Sequence, residues 1–280
     1  MSLHRMDTLL IKARENKVAL GAFECWDCLN IQAVARAAQL CKSPVIFQAS
    51  PVEYNLMGGP DAMVDIISFF IRKFDIDAAI HLDHGSKLEH VEECIRAGFS
   101  SVMLDASVLP FEENAALSAE AARMAHAADL SVEAELGHVG GGDGGEGTES
   151  VLTIPGEATE FMKRTNVDCL AVAVGTVHGD YKGKPELRLD RLAEIAALVP
   201  QPLVLHGGSG TPLDLLQQAI QLGIAKINIC TDINKAFLAG IEDARGRLTP
   251  SVPGNFYVPA RENVTEKTVQ LIRQFQRLDK

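Results

Sequence analysis

The chain has 280 residues, 47% apolar and 22% charged, an ordinary globular balance that suffices for one large domain or two average ones. A formal net charge of -11 and a pI near 5.2 exclude nucleic acid or anionic membrane as the main business of the surface. No apolar run approaches the roughly 18 residues that span a bilayer, and the opening MSLHRMDTLL lacks a signal-peptide core and cleavage site, so a soluble cytoplasmic protein is expected.

In chain order the patterning predicts strand 18–24, helix 29–40, strand 44–49, helix 62–74, strand 77–82, helix 88–97, strand 101–105 and helix 112–128. It continues with strand 131–136, helix 157–165, strand 168–174, helix 189–198, strand 202–205, helix 212–222, strand 225–230 and helix 232–248. The helical stretches repeat apolar residues at three and four, as in VEECIRAGF and LDLLQQAIQLG, where Gly98 and Gly223 are natural C-terminal stops. The strand runs are nearly continuous in apolar residues, as expected of a parallel sheet buried on both faces. No Pro/Ser linker or composition break divides the chain, so residues 1–280 are expected to form one domain. The fold class is α/β, and eight strand–helix repeats at this length point to a closed (β/α)8 TIM barrel, with an open doubly wound sheet as the alternative. Cys25, Cys28, Cys41, Cys94, Cys169 and Cys230 are scattered, which favours reduced thiols. The lone C-x-x-C at Cys25 and Cys28 has no second pair to complete a zinc knuckle.

A barrel of this kind places its chemistry at the C-terminal ends of the strands. His81, Asp83 and His84 end the third strand in AIHLDHGS, Asp105 ends the fourth, Glu135 the fifth, His178 follows the sixth and His206 the seventh. All are expected to face one mouth. His84, His178 and His206 offer three neutral nitrogen ligands, the set a catalytic zinc uses while keeping a position open, with Asp105 and Glu135 as further ligands or their supports. A single such histidine would more simply be hydrogen-bonded in the core; three converging ones argue for a metal.

Two glycine-bearing pieces, LHGGSG at 205–210 and INICTD at 227–232, follow the last two strands, where backbone N–H groups and a helix start suit a phosphate. GHVGGGDGGEGTES, with seven glycines between Gly137 and Gly147, reads as a mobile lid that carries a carboxylate.

The motifs HLDHGS, AGFSSVMLDAS, PFEEN, VEAELGHVGG, VDCLAVAVGTVHGDYKG, PLVLHGGSG and KINICTD stand in order along nearly the whole chain, which resembles the class II, zinc-dependent ketose-phosphate aldolases of the fructose- and tagatose-bisphosphate type. The resemblance implies a lyase of carbohydrate metabolism, of the kind used in glycolysis, working as a homodimer or homotetramer. It implies reversible cleavage of a ketose 1,6-bisphosphate or ketose 1-phosphate to dihydroxyacetone phosphate and an aldehyde, with Zn2+ stabilising the enediolate. His84, His178 and His206 match the zinc ligands, Asp105 and Glu135 the positions of a second divalent ion, and Asp83 the acid/base at the hydroxyl formed from the aldehyde. Gly179, Gly207, Gly208, Ser209, Asn228, Ile229, Cys230 and Thr231 match the dihydroxyacetone phosphate site, with Ser50 and Lys182 as auxiliaries. Some relatives also hold a monovalent cation, Na+ or K+, near this phosphate.

Three departures stand out. Relatives often read F-N-x-x-N after the first strand, where this chain has Phe23, Glu24, Cys25, Trp26 and Asp27. The lid glutamate that abstracts the hydroxymethyl proton is replaced, by spacing from Glu135, by Asp143, with Glu146 behind it. The arginine of an Asp-Pro-Arg motif suited to the distal phosphate is replaced by Gly254, with Arg261 as the nearest substitute, so an aldehyde other than glyceraldehyde 3-phosphate is expected. A metal-dependent hydrolase or isomerase on the same barrel, or a non-catalytic sugar-phosphate binder, are the competing functions.

Overall fold

A computed structural model describes residues 2–141, 150–181, 183, 185–245, 252 and 254–278, without the side chain of Phe256. Its strands are β1 (Leu20–Glu24), β2 (Val45–Ala49), β3 (Ala78–Gly85), β4 (Ser101–Leu104), β5 (Ser131–Leu136), β6 (Cys169–Val172), β7 (Leu203–Leu205) and β8 (Ile224–Ile229). They pair in parallel in sequence order, and β8 pairs with β1, so the expected barrel is closed and the open sheet is excluded.

The outer ring is α2 (Cys28–Cys41), α4 (Pro60–Phe74), α5 (Leu88–Ala97), α6 (Phe111–Ala127), α7 (Pro155–Thr165), α8 (Leu189–Leu198), α9 (Leu213–Leu222) and α10 (Thr231–Ala244). The helix expected at 232–248 therefore ends at Ala244, and residues 246–251 lie outside the described ones. Three helices were not expected from the sequence: α1 (Met6–Glu15), α3 (Pro51–Leu56) and α11 (Gly254–Gln276).

Alternation along each strand builds two cores. Ile80 and Leu82 of β3 join the large core beneath the helices, while Ala79 joins an inner one with Ala22, Ile46, Ala171, Val204 and Ala225. The small inner side chains leave room at the barrel floor for α1, whose Met6 and Leu10 are completely buried. Burying these two side chains contributes about 3–6 kcal/mol, which holds a short helix that local propensity alone would not. At the other side α11 crosses α10 so closely that a Cβ on Gly240 would lie 2.5 Å from Ala260 Cα. Only glycine permits that approach. α11 also contains Pro259, which hides the helix from a reading based on breakers.

The inner register carries chemistry toward the mouth. With Val132, Ala134 and Leu136 of β5 in the outer core, Glu133 and Glu135 face inward. Likewise Leu203 and Leu205 face the helices and His206 follows on the inner side. β3 extends to Gly85, three residues past its expected end.

Candidate active site

That extension brings Asp83 and His84 together. Neighbours on a regular strand point to opposite faces, but the register between β3 and β4 shifts between Leu82 and Gly85 and His84 takes φ +45°. The bulge turns the imidazole back to the side that Asp83 already faces. A left-handed conformation costs a non-glycine residue about 1–3 kcal/mol, and the contacts of the His84 ring offset it. Its Nδ1 lies 2.7 Å from Asp105 Oδ2, and its Nε2 is 3.0 Å from His206 Nδ1 and 3.9 Å from Asp83 Oδ2.

The rings of His84 and His178 are 5.0 Å apart, those of His84 and His206 4.7 Å, and those of His178 and His206 5.8 Å. One nitrogen from each of the three lies within 4.8 Å of the others. His206 donates Nε2–H to Glu133 Oε1 at 2.9 Å, which leaves its Nδ1 lone pair facing His84 Nε2. In the same way His84 donates its Nδ1–H to Asp105 Oδ2. Two lone pairs at 3.0 Å repel unless a proton or a metal cation stands between them. His178 Nε2 and Glu135 Oε2 are buried without a hydrogen-bond partner, so the donor set fits a divalent ion. A second trio of His84, Asp105 and Glu135 brings its ligand atoms equally close.

The local field is arranged to match. For His84, burial alone would lower the pKa, but Asp83 and Asp105 outweigh it and push it up to about 10 in the metal-free chain. Burial and the charge on His84 push His178 down to about 4 and His206 well below the ordinary histidine range. Burial opposes ionisation of Asp105 too, but the hydrogen bond and charge of His84 hold its pKa well below the carboxylate range. Burial and the neighbouring Asp105 push Glu135 up to about 8. His81 does not reach the mouth as expected: it is fully buried inside the barrel, bonded to Ser101 at 2.9 Å.

Above the histidines opens a cavity of about 420 Å³, large enough for a sugar phosphate. Asp83 lines it, with Oδ1 accepting from Asn228 Nδ2 at 3.1 Å and Oδ2 from Gln48 Nε2 at 3.0 Å. Gly179, Gly207, Ser209, Asn228, Cys230 and Thr231 line the side formed by the ends of β6, β7 and β8, where α10 begins. At φ +65° and with a Cβ that would fall 2.3 Å from Val177 O, position 207 requires glycine. Two expected members of this group are elsewhere. Gly208 does not line the cavity; its N–H is taken by Asn228 O at 3.1 Å, and a Cβ there would strike Ile227. Ile229 faces the helices in the outer core because the period of the strand puts it opposite Asn228.

Ser50 lines the cavity, while Lys182, Asp143 and Glu146 lie outside the described residues. Asp27 has a structural explanation: its carboxylate caps α2 by accepting from the Asn30 N–H at 2.7 Å. Arg261 bonds Glu262 on α11 and does not line the cavity. Gln48, Glu53 and His138 line it without having been singled out. The available signal for Gln48 was a polar residue at an inward position of an otherwise apolar strand.

The family model described as class-II fructose-bisphosphate aldolase matches residues 4–280. A fructose-bisphosphate aldolase of Geobacillus stearothermophilus is 40% identical over 282 residues, covering 98% of this chain and 97% of the relative. One of Staphylococcus epidermidis is 39% identical over 279 residues, covering 98% of each chain. Among solved structures, the YdjI aldolase of Escherichia coli K12 is similar at a TM-score of 0.86 and 30% identity, over 98% of this chain and 97% of that one. The fructose-bisphosphate aldolase of Campylobacter jejuni shares the fold at a TM-score of 0.83 and 23% identity, over 96% and 93% of the two chains.

Proposed function

This chain belongs to the class II fructose-bisphosphate aldolase family, and we propose that it reversibly cleaves a ketose 1,6-bisphosphate or ketose 1-phosphate to dihydroxyacetone phosphate and an aldehyde. The observation that carries this reading is the convergence of three imidazoles under a sugar-sized cavity with Asp83 beside them. His84, His178 and His206 would hold Zn2+, and a cation there supplies the positive charge that lets a carbanion form beside a ketone. Asp105 and Glu135 fix the ligands or take a displaced ion.

Asp83 accepts the proton of the substrate hydroxyl as the adjacent carbon–carbon bond breaks, and returns it in the condensation direction. Gln48 and Asn228 hold its carboxylate in place with two amide donors. The backbone around Gly179, Gly207, Ser209, Cys230 and Thr231 receives the phosphate of the ketone product, with the start of α10 favouring its charge. Lys182 and a Na+ or K+ ion complete that charge balance, and Asp143 exchanges the proton at the hydroxymethyl carbon. The protein would act in the cytoplasm as a single-domain homodimer or homotetramer.

Metal analysis followed by a screen of fructose and tagatose 1-phosphates and 1,6-bisphosphates tests the reading. Dihydroxyacetone phosphate should appear without inorganic phosphate, disappear on chelation and return with zinc. Phosphate release in its place indicates a hydrolase, and binding without cleavage or proton exchange a sensor; either result defeats the proposal.

A further inference from the structure

At the ends of β1 and β2 the hydrogen-bond donors are already committed to carboxylates. The Ser50 N–H is shared between Glu24 Oε1 at 3.1 Å and Glu53 Oε2 at 3.0 Å, and the Ser50 hydroxyl also donates to Glu53. Gln48 donates one amide hydrogen to Glu24 Oε2 at 2.9 Å and the other to Asp83 Oδ2 at 3.0 Å. What remains on this side are acceptors: Gln48 Oε1 and Asn228 Oδ1 are buried and unpartnered. Among the described residues neither arginine nor lysine lines the cavity. Gly254 opens α11 as an exposed residue with nothing within 4 Å of a Cβ built on it.

A substrate whose phosphate lies against the glycine loops, with the bond to be broken at Asp83, extends past Asp83 toward Gln48, Glu24 and Glu53. A second phosphate there would meet the Glu53 carboxylate and find the donors of Gln48 and Ser50 already occupied. A hydroxyl would instead donate to the waiting oxygens, and a site built for a donor rejects an analogue that lacks it. We propose that Glu24, Gln48, Ser50 and Glu53 form a selectivity wall for the aldehyde end, admitting ketose 1-phosphates whose far end carries hydroxyls and no phosphate. The inference rests on the aldol-cleavage reading above and goes beyond it in naming the substrate class.

The test is the release of dihydroxyacetone phosphate by the zinc-loaded full chain from 1-phosphates and 1,6-bisphosphates of fructose and tagatose. The expected kcat/KM favours the monophosphate by about tenfold or more. Glu53→Gln and Glu24→Asn, checked for folding by thermal melting, should each reduce that ratio, the former keeping an acceptor for the Ser50 cap. Brisk cleavage of both classes with equal or better use of the bisphosphate overturns the inference and leaves aldol cleavage standing. A monophosphate preference that neither folded variant changes overturns the role of Glu24 and Glu53. Cleavage of no ketose phosphate removes the underlying reading, and this inference with it.

Discussion

Replacing Glu133 by glutamine should separate the support of the proposed metal site from its proposed ligands. Glu133 is fully buried inside the barrel, with Oε1 accepting His206 Nε2–H at 2.9 Å. Its Oε2 lies 3.0 Å from Lys226 Nζ and 3.5 Å from His81 Nε2. Glu133→Gln leaves the buried Lys226 without its counter-charge, a change that costs about 3–5 kcal/mol, or about 5–9 °C of melting temperature for a chain of this size. A glutamine amide can turn either end toward His206, so the tautomer that presents Nδ1 is no longer imposed, and zinc affinity should fall about 10–100-fold. Scanning calorimetry on chelated and zinc-loaded protein measures the first effect, and competition with a chromophoric chelator the second. Adding Lys226→Met removes the orphan charge; most of the stability should return while the zinc affinity stays low. A Glu133→Gln protein that melts within about 1 °C of the parent and binds zinc equally well would refute the reasoning.

His178→Ala should lower zinc content and aldol cleavage together, as elemental analysis of the purified variant and a coupled assay will report. Asp83→Ala should keep its zinc and lose cleavage by about 10²–10⁴-fold; an active, zinc-loaded variant would contradict its role. The proton that His84 holds up to about pH 10 in the metal-free chain must leave when zinc binds. Apparent zinc affinity should therefore rise about tenfold per pH unit from neutrality toward that value, and calorimetry in buffers of different ionisation enthalpy should detect proton release. The sign for stability is the opposite: a histidine pKa raised above its unfolded value stabilises below about 6.5, and that contribution is lost as pH climbs through about 10. Chelated protein should accordingly lose melting temperature between pH 7 and pH 10 more steeply than zinc-loaded protein.

The barrel was legible because its cause is local: near-continuous apolar runs alternating with segments of helical period admit few architectures. The strand boundaries agree with expectation to within a few residues, most deviating where hydrogen-bond pairing rather than composition ends a strand. The three unexpected helices fail that test for separate reasons. α1 is fixed by burial at the barrel floor, α3 by the Ser50–Glu53 capping box, and α11 runs through Pro259 because it packs on α10 and α2. α1 and α11 depend on contacts that local patterning does not encode, whereas the Ser-x-x-Glu start signal of α3 stands in the sequence itself.

In the site, the sequence by itself determined which residue types arrive at the mouth: His84, His178 and His206 stand at or beyond strand ends, and a parallel barrel brings all such ends to one rim. Only the tertiary structure decided which way each side chain points. The bulge at His84 overrides strand alternation, Ile229 obeys it and leaves the site, and Gly208 spends its N–H on β8. Glu133 and Lys226 meet across the barrel interior from strands far apart in the chain. Residue type is carried by each position alone, whereas the direction of a lone pair or an N–H depends on register, burial and partners that only closing the ring creates.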